Sequence, residues 1–271
     1  MKEQTEKLDL KRIIAAISPQ NRGALWQLDI FQSITSTNTY LLEAGKRFLS
    51  KRKSGWACLA EEQTQGRGRQ GKTWFSPYAS NIYCSLAWSF PASFSGLSSL
   101  SLVSGVLLIQ ALEKLGLEAG LGLKWPNDIF FSGRKLAGLL LENLVSFQQN
   151  WVVIGIGLNL SLPKETNPAW IAVEEILARS VSRNLVVGVV LDSLLQGLTL
   201  FQAEGLKPFL AALRKYDLLL HKEIEVHMGS KIVQGLAQGL SEAGHLCLLT
   251  AEGKELQFCY GEVLVRLTSL G

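Results

Sequence analysis

Four short segments concentrate the residue types that handle anions and polar rings. The first, Glu61 to Trp74, sets Arg67, Arg69 and Lys72 among Gly66, Gly68 and Gly71. Glycines let backbone amides approach a ligand closely, and the cations suit a phosphate. Taken alone, the loop fits a solvated basic turn or a contact with an RNA backbone equally well. Its glycines also satisfy the G-x-G-x-x-G fingerprint of dinucleotide-binding folds. That fingerprint needs a helix opening at the last glycine, whereas Lys72-Thr73-Trp74-Phe75-Ser76-Pro77 follows here.

The second segment, Lys124-Trp125-Pro126-Asn127-Asp128, holds a cation, a stacking aromatic, a turn and a carboxylate between two apolar stretches. An ordinary turn in which Asp128 caps a backbone amide would read the same way. The third, Arg134-Lys135-Leu136-Ala137-Gly138, runs into an apolar strand, where a lysine needs a partner or an edge position. The fourth, Gly155-Ile156-Gly157-Leu158-Asn159-Leu160, closes an apolar strand with glycines that permit close backbone approach, and Asn159 could equally satisfy a turn.

Positioning these segments requires strands and helices at predictable places. Helical periodicity is expected over Leu8 to Ile17, Thr39 to Phe48 after the Ser36-Thr37-Asn38 start signal, Leu97 to Leu115, and Asn184 to Tyr216 with a break at Gly205 to Pro208. Strands are expected at Leu25 to Ile34, Gly55 to Ala60, Asn81 to Phe90, Leu121 to Lys124, Asp128 to Phe131, Leu136 to Asn143 and Trp151 to Leu160. Beyond His221, short β segments separated by glycine turns predict a small barrel. The expected class is therefore α+β, a mixed sheet with flanking helices in residues 27–220, with a helical extension at 1–26 and a β-barrel at 221–271.

Composition narrows the function classes. The chain of 271 residues carries a net charge of +4 with 18% charged and 47% hydrophobic residues, so no polybasic or acidic tail points to nucleic acid or a membrane surface. Cys58, Cys84, Cys247 and Cys259 form no C-x-x-C pair, and His221, His227 and His245 show no ligand spacing; a reduced, cytoplasmic protein without a side-chain metal site is expected. The N-terminus lacks the apolar core of a signal peptide. The uncharged run from Thr73 to Leu112 raises a membrane span, but its apolar part, Leu100 to Leu112, suits a buried helix.

In their order along the chain, Ser-Thr-Asn, Gln with Gly-Arg-Gly-Arg-x-Gly, Lys-Trp-Pro-Asn-Asp, Lys-Leu-Ala-Gly and Gly-x-Asn resemble the biotin protein ligases, from residue 27 to the end. That resemblance implies the biotin/lipoate ligase fold with a small SH3-like barrel, ATP and biotin as substrates with Mg²⁺, and formation of biotinyl-5'-AMP. Biotin would then pass to a lysine of the biotin carboxyl carrier protein of acetyl-CoA carboxylase. It further implies that Ser36, Thr37, Asn38 and Gln63 hold the biotin ureido ring, with Gly66, Arg67, Gly68, Arg69, Lys135 and Gly138 around the rest of biotin. Arg67, Arg69, Lys72, Trp74, Asn159 and Trp170 would surround ATP and the adenylate.

The implied chemistry suits these types. A carboxylate must approach the α-phosphate of ATP, which calls for fixed cations such as Arg67, Arg69, Lys124 and Lys135. A carrier amine must then attack while neutral, for which Asp128 is the candidate orienting group or base. The loop departs from some relatives at Gln70 and Lys72, where they carry arginine. Relatives that double as repressors carry an N-terminal helix-turn-helix, for which residues 1–26 are too short, so sequence-specific DNA binding is not expected; the resemblance allows a monomer or a homodimer. Two rivals remain: a lipoate or octanoate ligase or transferase of the same fold, and a nucleic-acid-binding regulator using the Gly-Arg loop.

Overall fold

The computed structural model describes residues 6–48, 54–145, 149–163 and 165–265. The ends of the expected N-terminal extension and barrel, 1–5 and 266–271, lie outside them. The chain order is α1 (Leu10–Ala16), α2 (Pro19–Arg22), β1 (Gln27–Ile34), α3 (Thr37–Phe48), β2 (Trp56–Gln63), β3 (Ile82–Pro91), α4 (Leu100–Lys114), β4 (Leu121–Lys124), β5 (Asp128–Phe131), β6 (Arg134–Val145), β7 (Gln149–Leu158), α5 (Val173–Leu177), α6 (Arg183–Glu204) and α7 (Leu210–Tyr216). Strands β8 (Glu223–Met228), β9 (Lys231–Leu240), β10 (Leu246–Leu249), β11 (Glu255–Phe258) and β12 (Glu262–Val265) follow.

The first seven strands form one mixed sheet in the order β1-β2-β3-β7-β6-β5-β4, with β1 and β2 parallel and the other pairs antiparallel. The last five form an antiparallel sheet in the order β11-β10-β9-β8-β12, the strands expected of the small barrel. The connection from α7 to β8 is fastened to the first sheet where the Leu218 amide donates to Leu123 O of β4 at 3.1 Å.

Side chains alternate across a strand, so each sheet face has its own core. Ala57, Leu59, Leu86, Trp88, Val152 and Ile154 point to the face covered by α4 and α6. Trp56, Cys58, Ala87, Trp151 and Val153 point to the other, under Leu41 and Ala44 of α3. Along that second face of β7 the residues shrink from Trp151 and Val153 to Gly155 and Gly157. Large side chains support α3, and the glycines beyond it leave a hollow above the sheet.

Helices α4 and α6 are apolar on all sides, as helices enclosed in a core are. The stretch Gly96–Lys114, with the 3-10 turn that leads into α4, and Arg183–Glu204 are both long and apolar enough to cross a membrane, yet each is 67% buried within the protein. The apolar surface of the first is already covered inside the protein, the buried helix expected for Leu100 to Leu112. They approach closely at Gly197, where a Cβ would meet Leu107 Cδ2 at 2.1 Å.

Residues 6–22 are clipped along α6 rather than trailing from it. Asn184 bonds the Asp9 amide and Lys7 O, the Asp192 carboxylate accepts from Ser18 and Asn21, and Ile13 and Ile17 are buried.

Candidate active site

The hollow beside α3 is a cavity of about 330 Å³, enclosed by the ends of β2, β6 and β7, the 64–77 loop, the β4–β5 turn and β12. Its polar end is built by the start of α3. Ser36 O accepts from the Tyr40 amide at 3.1 Å and its hydroxyl from the Thr39 amide at 3.4 Å, a helix cap that brings Ser36, Thr37 and Asn38 to the wall. The Gln63 side-chain oxygen accepts from the Thr37 amide at 2.9 Å, which leaves its Nε2 as a donor, 3.4 Å from Ser76 Oγ.

Close packing explains the glycines of the fourth segment. A Cβ at Gly155 would lie 2.3 Å from Asn38 Oδ1, and one at Gly157 would lie 2.2 Å from the Trp74 ring. The Trp74 indole thus lies flat on β7 inside the cavity, with its Nε1 buried and without a hydrogen-bond partner. Gly138 faces the same ring, at 3.0 Å from its own virtual Cβ.

The 64–77 loop folds over this hollow. Gly68 N donates to Lys72 O at 2.6 Å and Trp74 N to Gly66 O at 2.9 Å, so the loop is a tight excursion with a closed base. Gln70 and Gly71 take φ of 53° and 75° at its tip, the left-handed region that Gly71 adopts without a Cβ penalty. Each loop cation is held by the chain itself: Arg67 by both Glu142 oxygens at 2.9 and 2.7 Å, Arg69 by Asn127 Oδ1 at 3.1 Å, and Lys72 by Glu262 Oε1 at 2.6 Å.

Lys135 enters the cavity from the first turn of β6. Its backbone is fixed on both sides, donating to Ala169 O at 2.8 Å and accepting from Ile171 N at 3.0 Å and from Asn159 Nδ2 at 3.3 Å. The ammonium lies 2.8 Å from Asp128 Oδ1 and 5.6 Å from the Trp74 ring centre. This answers the question the sequence posed about a lysine in an apolar strand: its partner is Asp128. Lys124 is half-buried, and burial pushes its amine below the usual lysine value, a shift partly offset by the Asp128 carboxylate and reinforced by the Lys135 ammonium. Cys58 and Cys84 are buried nearby in the sheet, and burial pushes both thiols up, which leaves neither as a ready nucleophile.

The structure brings Ser36, Thr37, Asn38, Gln63, Arg67, Gly68, Arg69, Lys72, Trp74, Lys124, Asp128, Lys135, Gly138, Asn159 and Trp170 to one cavity. Gly66 is not in the lining. It packs at the loop base, where a Cβ would meet Trp74 O and Ser76 Oγ at 2.7 Å, so a glycine there lets the base close. Asn159 is buried at a turn, its amide nitrogen occupied by Lys135 O. Arg134, beside Lys135, turns away to bind Glu175 and the carbonyls of Pro168 and Trp170, which fixes the Trp170 segment. Among the described residues, no group of three or more His, Cys, Asp and Glu side chains could hold a metal ion.

Two acidic partners of the loop cations escaped the sequence reading. Glu142, behind the cavity wall, lies at the polar end of an apolar strand and pairs with Arg67, and Glu262, in the lining, comes from the second sheet and pairs with Lys72. A Glu at period-two spacing behind Gly138 and Leu140 was a usable signal for the first; only the folded chain reveals the second.

An Arg-rich loop, a helix start and a lysine-bearing strand thus share one cavity over the mixed sheet. Residues 30–159 match the family described as Biotin/lipoate A/B protein ligase family, and residues 220–266 match the Biotin protein ligase C terminal domain. The chain is 33% identical over 269 residues to the bifunctional ligase/repressor BirA of Escherichia coli, covering 97% of this chain and 80% of that protein. It is 31% identical over 240 residues to the biotin--[acetyl-CoA-carboxylase] ligase of Mycobacterium tuberculosis, covering 83% and 85%. The structure of the Aquifex aeolicus biotin protein ligase in complex with biotin and ATP superposes with a TM-score of 0.76 at 31% identity, covering 89% of this chain and 99% of that one. The chain belongs to the biotin protein ligase family and is a ligase.

Proposed function

We propose that this cavity binds biotin and ATP, joins them as biotinyl-5'-AMP with release of pyrophosphate, and then transfers biotin to a lysine of the biotin carboxyl carrier protein of acetyl-CoA carboxylase. The observation that carries this reading is the polarity of the cavity. Neutral hydrogen-bonding groups from Ser36, Thr37 and Gln63 line the same cavity as a set of cations, Arg69, Lys72, Lys124 and Lys135, with Arg67 held beside Asn38 through Glu142. A ureido ring offers one carbonyl and flanking N–H groups to the first, while a carboxylate and a triphosphate need the second.

In this reading the biotin carboxylate oxygen attacks the α-phosphorus, and the bond to the β-phosphate oxygen breaks. Lys135, anchored at both backbone atoms, bridges the two anions and neutralises the charge that gathers between them. Arg69, Lys72 and Lys124 face the departing pyrophosphate, Trp74 and Trp170 flank the adenylate, and the buried Asn159 turn borders the adenine. Mg²⁺ would arrive with the nucleotide, held by its phosphates and by Asp128 or Glu262, the cavity-lining carboxylates on that side; hard cations of this kind need only one or two protein carboxylates. Once phosphate has drawn Lys135 away, Asp128 is free to orient or deprotonate the carrier amine, which attacks the biotinyl carbonyl and expels AMP. The loop excludes water from the anhydride in the interval.

The test is pyrophosphate release by the purified chain with ATP and Mg²⁺. Release that depends on biotin supports the reading, and release indifferent to biotin contradicts it.

Lys124 gives the reaction an expected pH signature. Its lowered amine loses charge at a lower pH than a free lysine, so the kcat/KM for ATP should begin its alkaline decline early. Lys124→Arg, whose guanidinium keeps its charge, should move that limb to higher pH in an ATP-dependence series. Coincident limbs would mean that Lys124 does not carry the nucleotide charge.

A further inference from the structure

We propose that Ser85, sealed beneath the cavity and absent from its lining, is a positioning residue that sets the direction of the Thr37 hydroxyl and so makes that oxygen an acceptor toward the bound ring. The proposal rests on the reading that this end of the cavity takes the biotin ureido group.

Asn38 Nδ2 lies 2.9 Å from Glu142 Oε2 and 3.1 Å from Leu140 O, both acceptors, so its amide has only one satisfied orientation. Asn38 Oδ1 therefore faces Ser85 Oγ, at 2.6 Å, and the single Ser85 proton must be given to it. Ser85 Oγ also lies 2.7 Å from Thr37 Oγ1. With its proton spent, Ser85 can only accept there, and the Thr37 proton points down into the sheet. The Gln63 oxygen, at a longer 3.1 Å, is already served by the Thr37 amide. The Thr37 lone pairs are left for the cavity, suited to a ring N–H and repelling an acceptor atom.

Ser85 sits on β3 opposite Cys58 and Gly155, fully buried, with no route to the ligand except through Thr37 and Asn38. Gly155 makes the relay possible by leaving room for the Asn38 amide. The role is one of direction rather than contact.

A double-mutant cycle on the whole chain tests this, with biotin binding read by calorimetry in the absence of ATP. Ser85→Ala should weaken biotin about fivefold, the effect of loosening one neutral hydrogen bond, and leave the KM for ATP unchanged. In a Thr37→Val background, where the hydroxyl is gone, Ser85→Ala should cost under about twofold, since the contact through which it directs the Thr37 oxygen has been removed. Ser85→Cys repeats the cycle with a filled volume should the alanine variant fail to fold. Losses that multiply independently, an unchanged biotin affinity in Ser85→Ala, or an equal loss of ATP affinity would overturn the proposal. A wild-type chain that binds no biotin would overturn the functional reading together with it.

Discussion

Lys135→Ala should lower biotin-dependent exchange of pyrophosphate into ATP by about 100- to 1,000-fold, the cost of losing one preorganised charge at a developing anion. Three features make the effect large. The lysine is pinned through its own N–H and C=O to the 169–171 segment, so its ammonium is presented from a fixed backbone position. Its removal also leaves Asp128, now 2.8 Å from the ammonium, as an unpaired carboxylate facing a triphosphate. Finally, the Lys135 and Asp128 side chains are each only 26% exposed, so water screens that repulsion less than it would at the surface. Part of the loss is thus repulsion, and Lys135→Ala with Asp128→Asn should exchange faster than Lys135→Ala alone. A single variant within about threefold of wild type would remove Lys135 from the chemistry, since even one missing hydrogen bond costs more.

Glu61→Ala should produce the largest loss of stability, about 3 to 5 kcal/mol, read as a lower urea midpoint, with a melting point lower by about 10 °C. Glu61 and Arg183 form an ion pair whose side chains are both 4% exposed. Deleting the carboxylate strands a guanidinium in the core, still bound to Glu6 O at 2.9 Å and Asn81 O at 3.0 Å but without a counter-charge. It also frees the Leu8 amide, which donates to Glu61 Oε1 at 2.7 Å, so residues 6–17 should become sensitive to limited proteolysis at the same time. Glu61→Gln keeps the shape and should cost less. A loss under about 1 kcal/mol, the value of an exposed pair, would contradict the buried-pair account.

Most strands were legible because their faces differ. Asp128–Phe131 and Leu121–Lys124 begin and end where expected, because Lys124 and Asp128 flank a turn that no apolar pattern continues through. The Gly205 to Pro208 break also stands, since Gly205 takes φ of 67° and ends α6. Ends were less legible where a polar residue belongs to a strand for a tertiary reason. Glu61 to Gln63 extend β2 past Ala60 because Arg183 and Thr37 satisfy their side chains, and no local pattern announces partners so far along the chain. The short helices α2 and α5 were unmarked for a similar reason, each being held by its neighbours rather than by its own periodicity.

The site was legible as types and spacings, and less so as contacts. Gly66 belongs to the motif, yet it serves the loop base; Asn38 belongs to it as well, yet most of its hydrogen bonds face inward to Glu142, Leu140 and Ser85. Glu262 could not be read at all. A glutamate in a short edge strand looks like a solvated face until the second sheet is docked so that it reaches Lys72.

The measurement that bears most directly on the central claim is intact-mass spectrometry of an apo biotin carrier domain incubated with the chain, ATP and Mg²⁺, with biotin in one reaction and lipoate in another. The account predicts a mass gain of one biotinyl group, seen only with biotin and lost with Lys135→Ala. A lipoyl gain, or no gain with either acid from protein that is folded and binds ATP, would contradict it.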